Sequence, residues 1–167
     1  MDSISLGTSE WRNVMYRSTK TYGNDRGLSC CFRQWRADSH CNLLHGYSLG
    51  FKFVFEAEEL DERNWVYDFG DCQWIKDFLE DTFDHTLVIA SDDPELESFK
   101  RLHDNNVCKL WTLDHVGCEK FAELVYGYVA STVSEKTKSR VSLYSVECFE
   151  HGANSAIYVN PFGSSLE

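Results

Sequence analysis

The sequence predicts an α+β domain in which two helices cover one face of an antiparallel sheet of four strands. Three observations carry this. In LLHGYSLGFKFVFEAEEL, Phe51, Phe53 and Phe55 recur at every second residue, so an extended chain must place them on one face. Two later segments, over 74–82 and in VGCEKFAELVYGYVAST, instead space their apolar residues at the period of a helix. The resulting order is strand, strand, strand, helix, helix, strand, which segregates helices from most strands.

Taken in turn, residues 1–25 are polar and read as an irregular extension apart from WRNVMY. RGLSCCFRQW, 26–35, predicts a first strand, interrupted or widened at its cysteine pair, and RADSHCN a loop. The long strand from Leu43 carries the three phenylalanines, and Val54 makes its second face partly apolar. DERNW then reads as a turn into a further strand around 65–68. The first helix follows, with Trp74, Ile75, Phe78, Leu79 and Thr82 on its stripe and Asp71 near its positive end. TFDHTLVIA leads into the acidic patch SDDPELESFKRLHDNN, where Pro94 starts at most a short helix, and KLWTL reads as a minor strand. Phe121, Leu124, Val125, Tyr128 and Val129 form the stripe of the second helix, weakened by Gly127. SRVSLYSVECFE is the last strand, and GANSAIYVNPFGSSLE a closing tail. The domain is placed at 26–160, between the extension and a tail over 161–167. A four-stranded sheet covered on one side leaves an aromatic second face and both edges open, which closure into a barrel of several copies would solve.

Bulk properties narrow the function. The chain has 167 residues, 43% apolar and 14% aromatic, enough for one packed core. A net charge of −11 disfavours nucleic acid and anionic membranes as partners, and leaves an anionic ligand dependent on a local basic pocket. Seven cysteines, an odd number without a CxxC pair, and a polar N-terminus without an apolar segment predict reduced thiols in a cytoplasmic protein.

The chemistry concentrates in SHCNLLHGY, 39–47. His45 and Tyr47 point the same way along a strand, and His45 reads either as a metal ligand or as a structural histidine. Cys41 reads either as a nucleophile or base, given something to lower its pKa, or as an inert thiol. Asp84 and His85 form a pair in which the carboxylate can steady an imidazolium, and Asp114–His115 repeats the dipeptide. Glu150, at the end of the last strand, can accept paired N–H bonds from the edge of a guanine-like or pterin-like heterocycle. Arg33, Arg36 and Lys52 are candidates for meeting phosphates or a carboxylate.

In this order and spacing the residues resemble the 6-pyruvoyl- and 6-carboxy-tetrahydropterin synthases. The family pattern Cys-x-x-Leu-His-Gly-His reads here from Cys41 through His45 to Tyr47; Val66, Asp68 and Phe69 follow the pattern entering the first helix; Asp84, His85 and Leu87 match the family's Asp-His before a leucine. The second-helix pattern Thr-x-Glu with an alanine beyond it reads as Gly117, Cys118, Glu119 and Ala122, and the terminal Glu and Tyr as Glu150 and Tyr158. The match spans about residues 26–158.

The resemblance implies the tunnelling fold, with trimers closing a barrel and pairing into hexamers, and active sites between subunits. It implies 7,8-dihydroneopterin triphosphate as substrate, in a queuosine-type or biopterin-type pathway, and no organic cofactor. Cys41 would be the base, Asp84 and His85 the rest of a proton relay, and Glu150, with Glu119, the anchor for the pterin ring. It also implies zinc on three histidines. Two of those positions differ: Tyr47 replaces one histidine, and the best register sets Phe32 over another, leaving His45, with His40 as the nearest substitute. Catalytic zinc normally has three protein ligands. The departure opens a second reading, a pterin- or purine-binding protein of this fold, non-catalytic or of altered specificity, without the zinc site.

Overall fold

In the computed structural model, the structure describes residues 15–159. Its centre is a sheet built on one long strand. Strands β1 (Tyr16–Tyr22), β2 (Leu28–Phe32) and β3 (His45–Ala57) come first. Helix α1 (Gln73–Phe83), strand β4 (Thr86–Ala90), helix α2 (Leu96–Asp104) and strand β5 (Lys109–Leu113) follow. Helix α3 (Cys118–Lys136) and strands β6 (Ser142–His151) and β7 (Asn154–Val159) complete the described chain. The seven strands run in the order β5-β4-β2-β3-β6-β7, with β1 also on β3. Strand β3 is long enough for two antiparallel partners along one edge, β2 against His45–Leu49 and β1 against Phe51–Ala57, while β6 pairs with its other edge.

The α+β class stands, and the sheet is larger and mixed. Strand β4 lies parallel to β2, and β5 parallel to β4. Parallel neighbours need a crossover, and α2 supplies it between β4 and β5. The expected pair of helices on one face is a pair plus one. Phe51, Phe53 and Phe55 are fully buried, and α1 (Ile75, Leu79, Phe83) and α3 (Phe121, Val125, Val129, Val133) pack in the same core. Val88 and Ala90 of β4 belong to it too, whereas Leu87 and Ile89 turn to a second cluster with Phe99 of α2. Alternation along β4 therefore gives that corner two apolar faces, and α2 covers the second.

Three further expectations change. The stretch before residue 26 is strand over Tyr16–Tyr22; its polarity is that of an edge strand whose residues are mostly solvated on one face, with Tyr22 buried at its end. The parts of that extension over 1–14, and the tail over 161–167, lie outside the described residues. No strand forms around 65–68: the Asp61 carboxylate accepts the N–H groups of Arg63 and Trp65, both at 2.9 Å, closing a tight turn, and the Asp68 carboxylate caps a short 3₁₀ turn at Phe69–Cys72. The closing tail contains β7, which pairs with β6 through a hairpin and packs Tyr158 on Tyr126 of α3, ring centroids 4.9 Å apart. Among the described residues all seven cysteines are free thiols, and no helix is long and apolar enough to cross a membrane.

Candidate active site

Four elements end at one place. Phe32 closes β2 opposite His45, the first residue of β3. The loop between them carries a 3₁₀ turn, His40–Asn42, started by Ser39, whose hydroxyl accepts the Cys41 N–H at 3.3 Å. Gln34 fastens this loop: its N–H donates to the Cys41 carbonyl at 2.9 Å, and its side-chain amide donates to the Val116 carbonyl at 2.8 Å, just before α3. Gly117 is required there. Its φ is +111°, and a Cβ would lie 2.2 Å from the Gln34 amide nitrogen. Glu119 thereby enters the site on the first turn of α3, and Glu150 reaches it from the end of β6. Asn24 secures that end, donating to the Glu150 carbonyl at 3.1 Å and to the Ser48 carbonyl at 2.5 Å.

Together these residues line a cavity of about 210 Å³ whose walls include Phe32, Gln34, Cys41, His45, Glu119 and Glu150. Two carboxylates, a thiol and an imidazole suit a ligand that presents several N–H groups on one edge. His45 donates from Nδ1 to the Leu43 carbonyl at 2.8 Å, a contact that leaves Nε2 with the lone pair. Beside it, the rings of Phe32, His45 and Tyr47 meet, with centroids 4.9 Å apart for Phe32–His45, 5.8 Å for His45–Tyr47 and 6.4 Å for Phe32–Tyr47. The Glu150 charge, and then burial, raise the Tyr47 phenol above its ordinary pKa, so it keeps its proton at neutral pH. The three positions that the resemblance assigns to zinc thus do converge, but the residues on them do not fit the ion: a buried phenyl ring has no lone pair, and a neutral phenol is a poor ligand. Exposed His40 sits outside the cavity wall. Among the described residues no cluster of three or more His, Cys, Asp or Glu side chains is disposed to hold a metal.

The other predicted residues are elsewhere. Arg33 is engaged by Asp93, with its Nε at 2.8 Å and a terminal nitrogen at 2.6 Å from the two carboxylate oxygens, and it also donates to the Asn42 carbonyl at 3.2 Å. It ties the loop between β2 and β3 to the chain after β4. Arg36 pairs with Asp92 and lies over the Trp35 ring. It lines a neighbouring cavity with His115 and Lys120, on the far side of Gln34. Lys52 stands mid-strand on β3 opposite Glu147. Asp84 and His85 form a corner ahead of β4. Ser29 N–H donates to the Asp84 carboxylate at 3.1 Å, and His85 Nδ1 lies 2.9 Å from the same oxygen. Adjacent residues make this bond because His85 takes a left-handed φ of 53°, which folds its ring back on its neighbour. Burial opposes the Asp84 charge, but the hydrogen bonds from Ser29 and His85 outweigh it and hold its pKa low. The His85 side chain is 86% exposed, and neither residue lines the cavity of its own chain.

Sequence reasoning missed Gln34 and Asn24, since an isolated amide carries no signal until the strands it joins are known.

The family model for 6-pyruvoyl tetrahydropterin synthase matches residues 24–161. The chain belongs to the 6-pyruvoyl tetrahydropterin synthase family. Several solved structures share its fold. An uncharacterized Wolinella succinogenes protein, WS1659, superposes with a TM-score of 0.73 at 20% identity, covering 89% of this chain and 99% of that one. The Plasmodium falciparum 6-pyruvoyl tetrahydropterin synthase gives 0.63 at 13% identity, with the same coverage. The Caenorhabditis elegans enzyme of that name gives 0.55 at 19% identity, covering 88% and 95%. A search of curated protein sequences finds no significant match. Membership and these superpositions place the tunnelling fold on this chain.

Proposed function

We propose that the chain acts on a reduced pterin, converting 7,8-dihydroneopterin triphosphate to a 6-pyruvoyl- or 6-carboxy-tetrahydropterin. The observation that carries this is the convergence of Cys41, Glu119 and Glu150, from three elements far apart in sequence, on one cavity. The carboxylates accept the 2-amino and ring N–H groups of the pterin. Cys41 takes the side-chain proton whose removal lets the triphosphate leave. Half-buried Asp84 and exposed His85, at another corner, reach a cleft only across copies, so the working unit is a homo-oligomer, a trimer or hexamer, in the cytoplasm. The test is incubation of purified protein with 7,8-dihydroneopterin triphosphate, reading triphosphate release by ³¹P NMR and pterin products by fluorescence chromatography. Release with a new pterin product supports the reading; neither, with or without added zinc, overturns it.

A second reading is favoured by Phe32 and Tyr47: a binding protein that holds a pterin or purine without turnover. A pterin that co-purifies, stays bound and is not converted decides for it.

A further inference from the structure

The ring cluster beside the cavity has a size of its own to explain. Three imidazoles on one tetrahedral zinc, at Zn–N distances of about 2.1 Å, set their ring centroids about 5 Å apart. The centroids of Phe32, His45 and Tyr47 are 4.9, 5.8 and 6.4 Å apart. The backbone that presents them is a regular antiparallel pair, Phe32 opposite His45 and Cys30 opposite Tyr47. Gly46 between them allows a close approach, since a Cβ there would stand 2.9 Å from the Cys30 carbonyl oxygen. His45 is even oriented as a ligand, with Nδ1 spent on a carbonyl. The frame of a three-imidazole site is therefore present with a single imidazole on it.

We propose that this cleft takes its ligand without a metal, with the Tyr47 hydroxyl donating the hydrogen bond to a ligand side-chain oxygen and the Phe32 ring forming an apolar wall beside it. A neutral phenol donates well where an uncharged oxygen must be polarised and water kept out. Phe32, at 2% exposure and edge-on to Phe121 with centroids 5.2 Å apart, is packed into the core and holds its place without a ligand. The pterin identity of the ligand rests on the function proposed above; the metal-free character does not.

The experiment has two arms. In the first, the full chain, Phe32→His/Tyr47→His and the triple variant with His45→Ala are loaded with zinc and stripped of loose metal. Bound zinc is then counted by mass spectrometry, with folding checked by circular dichroism. The expected result is no stoichiometric zinc on the natural chain, one equivalent on the double variant and loss of it in the triple. Should Phe32→His prevent folding, Tyr47→His alone gives two imidazoles and a higher zinc affinity than the natural chain. Stoichiometric zinc on the natural chain overturns the proposal. In the second arm, 7,8-dihydroneopterin is titrated by fluorescence with and without EDTA. Affinity is expected to be the same in both, and roughly tenfold weaker in Tyr47→Phe, the loss of one hydrogen bond to an uncharged group. Chelator-sensitive binding overturns the metal-free cleft, and an unchanged Tyr47→Phe affinity overturns the donor role. Absence of any pterin binding by the natural chain overturns the pterin reading, while the zinc count still decides the metal.

Discussion

The cleft around Cys41 and the corner at Asp84–His85 are built in opposite ways. The cleft is assembled from four chain segments, pinned by Gln34, Asn24 and the Arg33–Asp93 pair, and walled by packed rings. The corner is two adjacent residues, bonded to each other through a strained backbone, with the imidazole almost wholly in solvent. The cleft carries Phe32 and Tyr47 at two positions where the resemblance implies histidines, whereas Asp84 and His85 match the resemblance in type but do not line the cavity of their own chain. A binding surface is stabilised by the core behind it, so it tolerates apolar substitution. The left-handed backbone at His85 costs about 1–3 kcal/mol, offset in part by its bond to Asp84.

The largest effect should come from separating the two regions. His85→Ala is expected to lower turnover about 100- to 1000-fold, the usual range for a lost general acid–base group, with pterin affinity unchanged. Cys41→Ala should do likewise. Co-refolding the two inactive variants should restore measurable turnover, because mixed oligomers contain intact cleft–corner pairs. No recovery in an activity assay would mean that the corner does not serve a neighbour's cleft.

Glu150→Gln sharpens the other side. It removes a charged acceptor but keeps the shape, and pterin affinity should fall by roughly 100-fold in fluorescence titration. An unchanged affinity would move the anchor elsewhere in the cleft, with Glu119→Gln the next variant to measure.

The pins of the cleft should matter to stability more than to chemistry. Asp93 is nearly fully buried and grips Arg33 with both oxygens. Asp93→Asn should lower unfolding free energy by about 3 kcal/mol in urea, since it strands a guanidinium. The Asp84 counterpart should cost far less, because the corner is solvated.

The smallest effect concerns pH. The Arg33 hydrogen bonds hold the Asp93 carboxyl below its usual range, and Ser29 and His85 hold Asp84 below its own against the cost of burial. A carboxyl with a lowered folded pKa adds stability that is complete above its unfolded value, about 3.9, and is lost as pH falls through the folded one. Stability should therefore be flat from neutrality to about pH 5 and decline below about pH 4. Asp84→Asn should flatten part of that decline in acid denaturation curves; an unaltered curve would leave the corner without its carboxylate charge.

Much of this was legible beforehand, for identifiable reasons. The phenylalanine alternation of β3 and the stripes of α1 and α3 are core faces, and burial leaves a periodic trace in sequence. Cys41, Glu119 and Glu150 were nameable because they lie at element ends, where a spacing pattern survives. Strand β1 was not legible, because an edge strand needs no continuous apolar face. Strand β7 was hidden in a tail whose Ile157 and Val159 stay exposed. Residues 65–68 read as a strand beyond a turn, because the Asp61 and Asp68 carboxylate-to-backbone bonds that shape this stretch have no periodicity. Arg33 looked available for phosphate because its partner lies 60 residues away.

The order of residue types along the chain was enough to determine the class of fold, the two principal helices and the family, since each depends on local period or spacing. Tertiary structure alone decided that Phe32, His45 and Tyr47 meet as rings, that Arg33 is already spent on Asp93, and that Asp84 and His85 lie outside the cavity that Cys41 lines. Those are through-space facts, set by which strands pair and which way a left-handed residue turns its neighbour, and no one-dimensional pattern encodes them.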